Sequence, residues 1–143
     1  MKKLLYIMLV CFAIAACDFE PSNNGDLDGN WQLHKLDTLT TGGRTDMRQS
    51  GIYWCVQGRL LEIRGLNVLG PNVLFRFKKE PATLTIYNPV CDNRDVSDSL
   101  VTSIETLKPY GVLHLEEVFQ IETFNSDDMV LVNDLYRFHL RKY

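Results

Sequence analysis

The sequence offers little reactive chemistry. Its 143 residues include only three histidines and four cysteines, and none of these falls in the short paired spacing that a zinc site uses. Neither a structural metal nor a cofactor is therefore expected. A glycine-rich phosphate loop and a nucleophile elbow are both missing, which removes the commonest nucleotide-binding and acyl-transfer designs. Basic charge is not in excess: fifteen Lys and Arg stand against eighteen Asp and Glu. An acidic chain is a poor partner for nucleic acid. No apolar run approaches the ~20 residues that a membrane-crossing helix needs.

The carboxylates and histidines present do not assemble into a reacting group on paper. Glu116 and Glu117 are neighbours in an expected strand, so their side chains point to opposite faces. Asp127-Asp128 sits in a turn, where short acidic side chains bond to nearby backbone. His34, His114 and His139 fall on expected polar faces, far apart in sequence. No catalytic role is assigned to any of them, and the chain is not expected to be an enzyme.

The amino end is informative. Lys2 and Lys3 precede an apolar run from Leu4 to Ala13, and Asp18, Glu20 and Pro21 end it, the layout of a short secretory signal. The junction Ile14-Ala15-Ala16-Cys17 resembles the lipobox of bacterial lipoproteins. That resemblance implies cleavage before Cys17, a diacylglyceryl thioether on its sulfur and a further acyl chain on its amine. Two or more chains give stable membrane anchoring. Residues 1–16 then form the signal, residues 17–28 the lipidated cysteine and a flexible tether, and residues 29–143 one domain. The expected location is the cell envelope, with the outer membrane favoured over the inner. Cleavage removes two lysines and leaves thirteen basic against eighteen acidic residues, a mature charge of −5. It also leaves Cys55 and Cys91, which in an exported protein either pair as one disulfide or stand as two separate buried thiols.

Beyond Gly29 the pattern is short alternating runs broken by turn residues, which predicts an antiparallel sheet with one buried face. Strands are expected over Gly29–Asp37, Gly58–Arg64, Val73–Lys78, Thr83–Tyr87, Val112–Phe124, Met129–Val132 and Leu135–Lys142. Residues 44–57 read as a loop or short helical turn, and Pro89–Ser97 as irregular. Asp98-Ser99 would cap a short helix running to about Leu107, ended by Pro109 and Gly111. The fold class is all-β: an antiparallel meander of about seven to eight strands closing into a barrel, with one short helix. Closure removes the exposed strand edges of such a meander.

Gly29-Asn30-Trp31 at the start of the first strand and Tyr136-Arg137-Phe138 on the last resemble the lipocalins and lipocalin-like barrels. The chain is similar, more closely, to small lipocalin-like lipoproteins of uncharacterised function from Gram-negative gut bacteria. In that resemblance Trp31 closes the barrel floor and Arg137 covers its ring, a structural lock. The function implied is a non-catalytic binding module for a small apolar or amphipathic molecule. Phe75, Phe77, Phe119, Ile121, Tyr136 and Phe138 are the candidate pocket lining, with core packing as the competing role for each. The alternative is a protein-interaction or structural subunit of a cell-envelope assembly with a filled barrel, its loops at Thr40–Ile52 and Pro89–Ser97 meeting a partner.

Overall fold

Alternation of apolar and polar side chains becomes, in the computed structural model, a barrel whose closing strands turn one face inward. The structure describes residues 22–92 and 98–143. The expected signal, Cys17 and the first tether residues lie outside the described residues. Ten strands are present: β1 (Gly29–Thr38), β2 (Gly43–Asp46), β3 (Ile52–Gln57), β4 (Leu60–Gly65), β5 (Val73–Lys79), β6 (Thr83–Cys91), β7 (Ser99–Leu100), β8 (Glu117–Phe124), β9 (Asp128–Val132) and β10 (Tyr136–Lys142).

Eight of these close the barrel in the circular order β1, β3, β4, β5, β6, β8, β9, β10, all antiparallel, with β10 returning to β1. Register pairs Trp31 with Lys142 on one edge of β1 and with Trp54 on the other. The remaining strands are short additions: β2 pairs the far half of β1, and β7 pairs the end of β6. Irregular register between Leu33 and Lys35, between Leu74 and Arg76, and between Ile121 and Thr123 supplies the local bends that let a sheet curl.

Four expectations are corrected. Residues 44–57 hold two strands, because Ile52, Trp54 and Val56 alternate inward against Leu61 and Ile63 of the next strand. β6 runs on through Pro89 to Cys91. Its bulge at Asn88, the one described non-glycine residue with positive φ, accommodates the proline. The strand expected from Val112 begins only at Glu117, whose buried carboxylate accepts the backbone N–H groups of Leu113 and His114 at 2.7 and 2.8 Å and curls the chain there. The short helix begins later than Asp98-Ser99, which is occupied in part by β7, and consists of consecutive 3-10 turns at Ile104–Thr106 and Lys108–Tyr110. Its cap is Ser103, whose hydroxyl accepts from the Glu105 N–H.

Candidate functional site

The barrel interior is packed solid. Trp54, Phe119 and Phe138 meet at its centre with ring centroids 5.3, 5.5 and 5.8 Å apart, tilted or edge-to-face, the arrangement aromatic quadrupoles prefer. Each has no accessible surface, as do Leu61, Ile63, Val73, Leu84 and Leu131. A space able to hold even one water beside them would leave some surface exposed. Of the candidate pocket residues, Phe75, Phe119 and Phe138 lie wholly within this core. Phe77, Ile121 and Tyr136 are half-buried at its margins. Phe75, Phe119 and Phe138 thus serve as packing, whereas Phe77 also lines an open groove at the tether end.

Both ends are closed. At the amino end a 3-10 turn at Gly25–Leu27 crosses the floor, and the Trp31 indole donates to the Leu27 carbonyl at 2.8 Å. The cation over the Trp31 ring is Lys142, 5.0 Å from its centroid, with its ammonium also donating to the Asp26 carbonyl at 2.6 Å. Gly29 suits this position, since its φ of +122 is one that other residues rarely adopt and a Cβ on it would press on Lys142 Cε at 3.0 Å. The assignment of Arg137 to this lock is therefore corrected. On β10 its side chain points away from the interior, five residues short of Trp31's partner, and its guanidinium forms a bidentate pair with Glu122 at 2.7 and 2.8 Å.

The opposite end, where a barrel of this kind would open, is corked by the crossover between β7 and β8. Val101, Leu107, Tyr110 and Val112 are buried in it. Three polar latches hold the cork. Tyr110 donates to the Pro71 carbonyl at 2.8 Å, Asn133 donates to the Gly111 carbonyl at 3.1 Å, and Glu117 gathers the two N–H groups named above. Gly111 adopts φ +76, and a Cβ there would strike the Phe138 ring at 3.0 Å. Lys108-Pro109-Tyr110-Gly111-Val112 is visible in the sequence, but its spacing marks only where a helix stops.

Cys55 and Cys91 are free. They sit on β3 and β6 with β4 and β5 between them, roughly 14 Å apart at one inter-strand spacing per step, well past the reach of a disulfide. The disulfide is thus corrected to two separate thiols, and burial pushes the Cys55 thiol up.

One polar feature escaped the sequence. His139, expected to be solvated, contacts the Asp37 carboxylate at 2.8 Å across β1 and β10. Burial acts to raise the Asp37 carboxyl, but the hydrogen bond with His139 and the charges of His139, Lys35 and Arg44 outweigh it and hold it below the usual range. No hydroxyl or thiol among the described residues is bonded to this pair. Among the described residues, no three His, Cys, Asp or Glu side chains gather in a way that could hold a metal ion, and no helix is long and apolar enough to cross a membrane.

Outside the barrel the surface is uneven. Of the eight large apolar side chains exposed among the described residues, Leu39, Leu66, Leu69, Leu100 and Leu115 are all carried at the corked end, with Leu69 98 %, Leu66 74 % and Leu100 73 % exposed. At the tether end an open groove of about 780 Å³ is lined by Leu27, Phe77, Arg59, Arg76, Lys79 and neighbouring polar residues.

Comparison with known proteins agrees with this architecture. A model of the lipocalin-like domain family matches residues 10–143. A lipocalin-like protein from Bacteroides uniformis ATCC 8492 superposes with a TM-score of 0.62 at 15 % identity, covering 83 % of this chain and 100 % of that one. An uncharacterized protein from Bacteroides eggerthii DSM 20697 does so with a TM-score of 0.60 at 16 % identity, covering 81 % of this chain and 98 % of that one. At these identities the likeness to the solved structures is one of fold. No curated protein matches the chain. With the family model spanning nearly its whole length, the chain belongs to the lipocalin-like domain family.

Proposed function

We propose that the protein is a lipid-anchored, non-catalytic binding barrel of the cell envelope that works through its outer surface, with a protein partner docking at the corked end. The observation that carries this reading is the pairing of a filled interior with exposed leucines gathered at one end. A core without water-sized space leaves no seat for a small molecule inside the closed barrel. Leu66, Leu69 and Leu100 stand in solvent at the end opposite the residue 22 side of the tether. Several exposed apolar side chains carried at one end suit an interaction surface, and anchoring at Cys17 would turn that end away from the bilayer.

A photo-crosslinking side chain placed at Leu69 in intact cells tests this. A discrete adduct at Leu69, lost when Leu66→Asp and Leu100→Asp are introduced, is expected. Leu60, exposed at the other end, serves as control. Absence of the Leu69 adduct, or equal labelling from Leu60, would refute the reading.

One observation favours a second reading, in which the barrel takes a small amphipathic molecule after its cork swings out. The Trp54 indole N–H is buried at the centre and has no acceptor. An unsatisfied buried donor is destabilising by about 1–3 kcal/mol, and a ligand oxygen would relieve it. Protein recovered from its own cells with a stoichiometric small molecule inside would establish this reading in place of the first.

A further inference from the structure

From the groove at the tether end, we propose that this surface binds the phosphate of an anionic phospholipid headgroup in the membrane to which the chain is attached. The proposal goes beyond partner docking and rests on the anchoring of Cys17. The cations the groove offers a ligand are Arg76 and Lys79 of β5, the Lys79 ammonium lying 4.6 Å from the centre of the Phe124 ring, beside an apolar lining of Leu27 and Phe77. Glu80 also lines it, with its carboxylate paired to Lys78 at 2.9 Å and accepting from the Thr83 hydroxyl. Arg76 and Lys79 thus bring two positive charges to one wall of the groove in a chain that is negative overall.

Backbone geometry aims polar groups the same way. The β5–β6 register breaks beside Arg76, and Asn88 takes up a left-handed conformation with φ +51. Such a bulge re-aims side chains, and here Tyr87, Asn88 and Arg76 all reach the groove. Asn24 is held at its wall by side-chain bonds to the Gly58 carbonyl and Asp28, both 2.7 Å. A guanidinium and an ammonium suit a phosphate's several acceptor oxygens, and Tyr87 and Asn88 lie beside them in the lining. The apolar lining suits the glycerol and first methylenes of a lipid.

Position selects the membrane as the source. Asn23 and Asn24 line the groove, and only four residues lie between Cys17 and Ser22, a span of at most roughly 17 Å over the five steps when extended. A lipid on Cys17 would hold this groove, and not the corked end, against the headgroups.

The test uses the full chain in neutral detergent, titrated by calorimetry with glycerophosphoglycerol, glycerophosphocholine and inorganic phosphate. Glycerophosphoglycerol is expected to bind best. Arg76→Gln with Lys79→Gln should weaken it by about tenfold or more, as expected for a lost charge-assisted hydrogen bond, while Arg44→Gln on the far side leaves it unchanged. Both substituted side chains are exposed, and an unaltered thermal midpoint would show that the fold is kept. No binding of glycerophosphoglycerol overturns the proposal, as does equal loss with Arg44→Gln. Equal binding of inorganic phosphate or glycerophosphocholine overturns its assignment to an anionic headgroup. Intact mass of the purified chain reads the lipid on Cys17 separately, so failure of the anchor and failure of the groove are distinguishable.

Discussion

Tyr110 is where the closure of the barrel can be measured. Its ring is buried against Gly65 and Gly70, and its hydroxyl donates to the Pro71 carbonyl at 2.8 Å, so it joins the cork to the β4–β5 loop. Tyr110→Phe removes only that hydrogen bond and should destabilise by about 1 kcal/mol. Tyr110→Ala removes the ring as well and leaves a cavity that the neighbouring backbone can only partly fill, a loss of about 4 kcal/mol. For a domain of this length these values correspond to thermal midpoints lower by about 4 °C and about 15 °C. Thermal and urea unfolding followed by circular dichroism give both numbers. The alanine variant should in addition bind a hydrophobic dye that the parent excludes. If Tyr110→Ala stays within about 1 kcal/mol of the parent, the segment is an ornament on the barrel and not its cork.

Three other outcomes follow from the geometry. Lys142→Gln should lose about 1 kcal/mol, from its place over the Trp31 ring, and alter tryptophan fluorescence, whereas Arg137→Gln should leave the fluorescence unchanged. Reductant should not move the thermal midpoint, because Cys55 and Cys91 are separate thiols; a drop on reduction would contradict the strand order. Acid should weaken the fold. Asp37, with His139 beside it, and Glu122, bonded by Arg137, both titrate below their usual values. Their stabilisation is therefore complete above the unfolded carboxylate range of about 4 and lost as pH falls through the folded values. Asp37→Asn should flatten that acid limb in a pH series of urea titrations.

How much of this was legible in the sequence depends on the distance over which the signal acts. Strand alternation is local, so Val73 to Lys78 and the β9–β10 hairpin were readable directly, and the closed barrel followed from them. The segment from Ile52 to Gln57 was not, since Tyr53 and Cys55 on its outer face are as apolar as the inward residues and hide the alternation. Beyond Val112, the residues look extended, but Glu117 draws the chain into a turn through bonds that no periodicity predicts. The lock at Trp31 illustrates the same limit. Arg137 and Lys142 are both basic and both on the last strand, and only the register of β1 against β10 sets Lys142 opposite Trp31. Likewise Phe75, Phe119 and Phe138 occupy inward positions that a pocket wall and a solid core share. Whether they surround space or fill it depends on three rings from different strands meeting at the centre.

The account's central claim is that the barrel is full and acts through its surface, and native mass spectrometry of the protein isolated from its own cells addresses it most directly. The account predicts the mass of the processed, lipidated chain with no internal small molecule, alone or in complex with a protein partner that is lost on Leu69→Asp. A small molecule other than a membrane phospholipid retained at one per chain, in a protein whose Leu69→Asp variant behaves as the parent, would contradict it.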